Sequence, residues 1–412
     1  MEAGSSLPEK LQAHCCIAGG GPAGMMLAYL LARAGVEVLV LEKHADFLRV
    51  FRGDTVHPST LEIMHELGLL EEFLKRPHQE LRQVRAQIGG DHIVLGEISY
   101  LQTQCRFMVL MPQWDFLDFL VQQGRRYPTF HVRMQTEVTG LIEENGRIVG
   151  VRGNTLAEPL EVRADLVVGA DGRNSVVRDC AGLSVEDVGN PLDSLQLRLS
   201  RRPDDPDFMQ YSDRGKTMIT MNRGDYWHCG FPVPKGAAEK MRAKGIEDFR
   251  AAIVELAPFL RDRVTELRDW SDVKQLTIRV DRLRQWYRPG LLCIGDAAHA
   301  MSPVGGVGIN LAIQDAVAAA NILAGPLRKG SVSEEDLAKI QRRRTFPTRL
   351  TQRVQGFLQK QLFRGLSSPA PTRLPWPVRL LERTKLPCRM RTRFVGVGFR
   401  PEHVQTADVY KR

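Results

Sequence analysis

Three glycine- and acid-bearing clusters in this sequence combine residue types that suit a backbone approaching a phosphate. The first is Gly19-Gly-Gly21-Pro-Ala23-Gly24. In such a G-x-G-x-x-G array the first glycine permits a tight turn. The second lets backbone approach a pyrophosphate, and the third lets helix and strand pack closely. A helix starting there offers free N–H groups and about half a positive charge to the phosphates. Glu42, followed by Lys43, stands 23 residues after Gly19 and is placed to accept from ribose hydroxyls. Dinucleotide binding follows, though this segment alone does not separate FAD from NAD(P). The second cluster is Gly169-Ala-Asp171-Gly-Arg173-Asn174-Ser175. The third is Gly295-Asp296-Ala-Ala-His299, continuing through Pro303, Gly305, Gly306, Gly308, Ile309 and Asn310.

The elements that would carry these clusters can be read from local pattern. Ala13–Ala18 has strand character, Met25–Ala34 is an apolar helix, and Val36–Leu41 is a second buried strand ending in Glu42. This strand, turn, helix, strand, acid order is the context that gives a glycine array meaning. Leu166–Val168 is a buried strand running into the second cluster, and Asn174 or Ser175 caps the short helix after it. A third buried strand precedes Gly295, and an Ala-rich helix covers about 308–323. Helices are expected over 61–74, 116–123 and 246–256. Strands are expected over 131–138, 141–144 and 147–151, with a turn at Asn145-Gly146. More strands are expected over 193–199, 216–221, 225–232 and 273–280.

Composition removes several function classes. The chain has 412 residues, room for two or three domains. Its 57 Lys and Arg exceed its 48 Asp and Glu, a net charge of +9. From Gln341 to Arg412 there are 17 basic and 3 acidic residues, so the remainder is slightly acidic. A nucleic-acid footprint over the whole protein is not expected. Seven cysteines without a C-x-x-C read as reduced thiols, and Met1–Lys10 has no apolar run resembling a secretion signal, so a cytoplasmic protein is expected. Hydrolase-elbow, P-loop and zincin motifs are absent, and no metal site is expected.

The three clusters together, in this order and spacing over about residues 13–325, resemble the single-component (class A) FAD-dependent aromatic hydroxylases, with p-hydroxybenzoate hydroxylase as prototype. The likeness extends to Arg52 and Gln113, at positions that contact the flavin nucleotide in that family, and fades after Asp315. It implies an α/β fold: a Rossmann-like FAD-binding domain with a parallel βαβ sheet, an inserted mainly β substrate domain and a C-terminal helical segment. The FAD-binding domain would take 1–75, 105–180 and 275–330, the substrate domain 76–104 and 181–274, and a basic helical or extended segment 331–412.

The resemblance further implies a cofactor set of Gly19, Gly21, Ala23, Gly24, Glu42, Lys43, Arg52, Gln113, Asp171, Asp296, Pro303, Gly306, Gly308, Ile309 and Asn310. Within it, Asp296 would meet the ribityl or pyrophosphate region, and Asp171 with Arg173 would lie where FAD and NAD(P)H meet. The backbone N–H groups of Ile309 and Asn310 would face the flavin N1–C2=O edge. A helix N-terminus there stabilises the negative charge of reduced flavin by about 0.3–1 kcal/mol if exposed, and about 2 kcal/mol if partly buried. Pro303 would set the loop along the face where oxygen reacts, and His57 would lie near it.

The implied activity is hydroxylation of an aromatic or planar apolar small molecule with NAD(P)H as transient co-substrate and O2, through a flavin C4a-hydroperoxide. The alternative on this fold is a reductase of the geranylgeranyl-reductase type that acts without oxygen. No single catalytic side chain is required, because the cofactor carries the organic chemistry. His299 reads as a packed histidine. Trp227 and Phe231, alternating with Cys229, read as sheet core or as a wall against a ring. Tyr211, Tyr226 and Tyr287 are candidates for orienting or deprotonating a phenol. A monomer or homodimer is expected. The basic tail reads as a solvated helix and arm packed over the core, or as a peripheral contact with anionic membrane.

Overall fold

The main sheet is built around its first strand, Glu9–Ala18, in a computed structural model that describes residues 8–48, 55–366, 370 and 385–411. That strand pairs in parallel with Val38–Leu41 on one side and with Pro159–Gly169 on the other. Phe130–Arg133 extends the sheet beyond Val38–Leu41, and Leu291–Cys293 extends it beyond Pro159–Gly169, again in parallel. The run Cys15–Ala18 and all of Val38–Leu41 are buried, as a parallel strand covered on both faces must be. Register brings the strand ends level: Ala18 lies opposite both Leu41 and Gly169, and Gly169 lies opposite Cys293. Arg133 lies opposite Leu41 in turn, so five parallel strands end along one edge, the place where open α/β sheets bind ligands.

Helix Pro22–Arg33 leaves the first strand with proline at its first position, where the missing N–H costs nothing. It packs beside Gly308–Arg328, whose span with the preceding turn, Val304–Arg328, is apolar and long enough to cross a membrane. The most apolar window of that span is 78% buried inside the protein, which marks a core helix.

A second, seven-stranded sheet runs in the order Lys274–Leu276, Leu192–Ser200, Tyr226–Pro234, Lys216–Asn222, Gln210–Asp213, Gln83–Ile88, Asp91–Glu97. One face presents Leu195, Leu197, Leu199, Trp227, Cys229 and Phe231 to helix Ile246–Leu256, where Phe231 and Phe249 meet edge to face at 5.3 Å. The other face carries Ser194, Gln196 and His228, polar yet buried. Trp227 and Phe231 are thus core between sheet and helix, the plainer of the two expectations.

Several expected elements differ. The helix expected over 61–74 is two, Pro58–Glu66 and Leu70–Phe73, with Gly68 at φ +71° between them. The strand expected over 131–138 is also two. Phe130–Arg133 joins the main sheet, Gln135 turns at φ +54°, and Glu137–Glu144 starts a hairpin with Arg147–Asn154. That hairpin turns at Asn145 and Gly146, both at positive φ as its tight turn requires.

The basic tail packs over the core, but its long helix is not simply solvated: one face is built into the molecule. Helix Glu334–Leu366 buries Arg344, whose Nε donates to Asp315 at 2.8 Å and whose guanidinium also meets Glu402 at 3.4 Å. Beyond it Arg33 donates to the Thr406 carbonyl, and Tyr127 donates to Asp408 at 3.0 Å.

Strand and first helix touch at Gly24, where a Cβ would overlap the Gly19 carbonyl oxygen and stand 3.2 Å from the Ile17 side chain. Gly24→Ala is expected to destabilise the protein by about 1–3 kcal/mol, the usual cost of overpacking a close contact. Denaturant unfolding measures it, and an unchanged midpoint would contradict this packing.

Candidate functional site

The three glycine clusters meet at the common edge of the parallel strands. The Ala170 N–H donates to the Ala18 carbonyl at 2.8 Å, joining the first and second clusters. Gly169 lies against Cys293, joining the second and third, and Gly295 is wedged between Ala23 and Ala312. At Gly21 an added Cβ would find only the Ala170 carbonyl, at 4.0 Å. An open cradle therefore stands before the N-terminus of helix Pro22–Arg33, whose Gly21 cap has no side-chain partner. That is the arrangement a pyrophosphate needs, so the residues present fit a dinucleotide.

Glu42, at the end of Val38–Leu41, is buried and accepts from the Gly20 N–H at 2.9 Å and the His44 N–H at 3.1 Å. It ties the glycine turn to the second strand. Asp296 lies half-exposed in the short turn Gly295–Ala297, 3.5 Å from the Arg173 guanidinium, which pairs the acid of the third cluster with the base of the second. Asp171 is engaged within its own loop. Its carboxylate accepts from Ser175 Oγ at 2.5 Å and the Val177 N–H at 3.1 Å, while Ser175 caps helix Val176–Cys180.

The loop from Pro303 to Val307 precedes helix Gly308–Arg328, whose first turn contains Ile309 and Asn310. Asn310 does more than present a backbone N–H. Its side-chain oxygen accepts from the His57 N–H at 2.9 Å and from Thr60 Oγ1 at 2.7 Å. Gly306 sits at φ +64°, where a Cβ would collide with Thr55 Oγ1. Gln355, on helix Glu334–Leu366, donates to the Ser302 and Val304 carbonyls at 2.9 and 2.8 Å. Thr55, Thr60 and Gln355 were not among the expected site residues. Thr60 adjoins His57, but nothing local marks Gln355, which acts from half a hundred residues away.

The remaining expected residues have varied surroundings. Lys43 is exposed, 3.8 Å from Glu137. Gln113 starts helix Gln113–Gly124 at a half-buried position. Arg52 lies outside the described residues. His299 is packed, donating to Asp315 at 2.6 Å. Tyr211 is buried in the core of the second sheet and donates to the Pro206 carbonyl, Tyr226 lies under the Arg198 guanidinium, and Tyr287 sits at the edge of the main sheet. On the polar face of the second sheet His228 donates to Gln196, which donates to Ser194, at 2.8 and 2.7 Å.

Comparison with known proteins agrees with this geometry. A family model described as an FAD binding domain matches residues 12–354. The 6-methylpretetramide 4-monooxygenase of Streptomyces rimosus is 33% identical over 372 residues, covering 90% of this chain and 88% of that protein. A Rhodococcus jostii protein named "Probable NADH-specific resorcinol 4-hydroxylase" is 30% identical over 310 residues, covering 73% of this chain and 56% of its own length. Among solved structures, Pseudomonas aeruginosa PqsL in complex with 2-aminobenzoylacetate shares the fold. Its TM-score is 0.74 at 24% identity, covering 86% of this chain and 98% of that one. The chain belongs to the class A FAD-dependent aromatic monooxygenases. The match runs to residue 354, well past Asp315, where the likeness was expected to fade, and it takes in the part of helix Glu334–Leu366 that bears Arg344.

His57 stands at the centre of the loop's support. Its Nδ1 donates to the Val395 carbonyl at 2.6 Å, and its buried Nε2, facing Gly306, has no partner among the described residues. Burial pushes the imidazole from its ordinary 6.5 down to about 4, against the Val395 carbonyl, which favours the charged form. Between those values the unfolded chain binds a proton that the folded one does not, so stability is lost as pH falls from 6.5 towards 4. Wild type is expected to lose about 1.4 kcal/mol per pH unit more than His57→Asn across that window. Denaturant unfolding at a series of pH values measures it, and parallel curves would contradict it.

Proposed function

We propose that this protein is a monooxygenase that hydroxylates a planar aromatic small molecule, using FAD, NAD(P)H and O2. The observation that carries the reading is the convergence of three glycine turns and two helix N-termini on one edge of the parallel sheet. There Gly21 and the N-terminus of Pro22–Arg33 would hold the pyrophosphate, with Gly19, Ala23 and Gly24 shaping the turn. Glu42 would take the ribose, with Lys43, Arg52 and Gln113 towards the outer part of the nucleotide. Asp296 would hold the ribityl end. Pro303, Gly306 and Gly308 would let the loop lie close to the ring, and the N–H groups of Ile309 and Asn310 would stabilise negative charge on it. Asp171 would act by fixing the second turn. Bound FAD supplies hydride acceptance and oxygen activation. The chain's own task is to orient the substrate and exclude water. The polar face with Ser194, Gln196 and His228 is suited to orienting substrate hydroxyls. On this reading the substrate domain comprises 76–104 and 181–274, inserted in a cofactor domain of 1–75, 105–180 and 275–330. Support for an aromatic substrate comes from the relatives named for 6-methylpretetramide and resorcinol.

The test is turnover under isotope-labelled oxygen with a panel of phenolic and polycyclic aromatic compounds. The expected product carries one labelled oxygen, and substrate raises NAD(P)H consumption. Asp296→Ala is expected to purify colourless with its fold retained. A reduced, unlabelled product would move the assignment to an oxygen-independent reductase, and a yellow Asp296→Ala would remove that residue's role.

The outer face of Glu334–Leu366 supports a second, peripheral role. Arg342, Phe346, Arg349, Arg353 and Phe357 recur every three or four residues on it, all exposed. Beside it a groove of about 700 Å³ is lined by Arg284, Arg342, Arg349 and Arg353. Near anionic lipid each such charge contributes about 1 kcal/mol. Vesicles rich in phosphatidylserine should co-sediment the protein at low salt and release Arg349→Glu/Arg353→Glu. Equal sedimentation of both proteins would end this idea.

A further inference from the structure

Helix Lys385–Gly396 returns from the basic tail to two places at once. On one side it grips the edge strand Asp91–Glu97 of the second sheet. Thr392 Oγ1 accepts from the Glu97 N–H at 2.9 Å, and Arg391 Nε donates to the Leu95 carbonyl at 2.7 Å. On the other side it reaches the loop before Gly308. The Val395 carbonyl accepts from His57 Nδ1 at 2.6 Å, and a Cβ on Gly305 would lie 3.7 Å from the Val395 side chain. Gly396 is packed so closely between Leu101 and Pro58 that a Cβ there would overlap Leu101. Val395 and Val397 complete a small apolar cluster with Ile98, Leu101 and Met108.

These contacts join the edge of the second sheet to the loop before Gly308. The His57 N–H meanwhile holds Asn310, at the start of the helix that follows the loop. A displacement of the tail helix is therefore felt at His57, whose backbone N–H holds Asn310 and whose ring faces Gly306.

We propose that helix Lys385–Gly396 is a clamp that sets the Pro303–Val307 loop against the substrate sheet, with His57 and Thr392 as the positioning residues at its two jaws. This rests on the reading that the loop borders the flavin ring. The clamp fixes the width of the space between ring and sheet, so it governs how tightly FAD is held and how well reduction is coupled to hydroxylation. His57 acts through its Nδ1 hydrogen bond. An asparagine amide can occupy the place of Nδ1 and keep that bond, whereas alanine cannot.

The experiment uses the full chain and FAD itself. Hydrogen exchange of amides 385–397 is followed with and without FAD, and FAD affinity is titrated for wild type, His57→Ala, His57→Asn and Thr392→Val. FAD is expected to slow exchange in this helix in wild type and in His57→Asn. In His57→Ala the protection should be lost and FAD should bind about tenfold more weakly, the size expected for one lost buried hydrogen bond. Thr392→Val, which leaves His57 intact, should raise peroxide release per NAD(P)H consumed while changing FAD affinity less. Normal FAD binding and protection in His57→Ala would overturn the clamp, as would an asparagine variant no better than alanine. Failure of wild type to bind FAD would instead overturn the cofactor assignment, and the clamp with it.

Discussion

One buried carboxylate, Asp315, holds together parts of the chain that share no sheet. Its Oδ2 accepts from the Gly295 N–H at 3.1 Å and from His299 at 2.6 Å, and its Oδ1 accepts from Arg344 at 2.8 Å. Burial alone would push this acid up. The charges and hydrogen bonds of His299 and Arg344 hold it below its ordinary value instead. Breaking such a pair by removing one partner costs about 3–5 kcal/mol, because an uncompensated charge stays buried. The turn that presents Asp296, the core helix and the long C-terminal helix are thereby mutually fixed. Glu402 extends the set by meeting Arg344 and Arg343, bringing the end of the described chain into the same arrangement.

What was legible in the sequence was local. Ile246–Leu256 has the expected bounds, because an apolar face at helical spacing between Gly245 and Ala257 needs no distant partner to define it. The strand and turn units around Gly19, Gly169 and Gly295 were legible for the same reason: each is an uninterrupted buried run that stops at a glycine. Their convergence depended on pairing order, which no single run contains. The alternation in Tyr226–Pro234 separates Trp227, Cys229 and Phe231 from His228 and Gly230. It does not say which side a helix covers.

Charge was the least legible property. Arg342, Arg343 and Arg344 are consecutive in sequence and have different fates. Arg344 points inward to Asp315, Arg343 reaches Glu402, and Arg342 pairs outside with Glu335. A net charge counts all three alike. The basic excess of the tail is thus partly internal wiring and partly an exposed face. Asp171 illustrates the converse case, since an acid in a binding motif spends its lone pairs on the turn that contains it.

The junctions of this fold join residues far apart in the chain. Ala18 waits for Gly169, Asp315 for Arg344, Arg344 for Glu402, and Arg33 for Asp408. During synthesis the N-terminal strand and helix emerge long before the segments that cover them. Contacts of this separation form slowly, and partly built sheets expose apolar edges meanwhile. The nascent chain therefore passes through a prolonged stage in which its first strand is made but unshielded. The junctions made by residues 402–408 close after the others, so chaperone demand should persist on the growing polypeptide at least until that segment has left the ribosome.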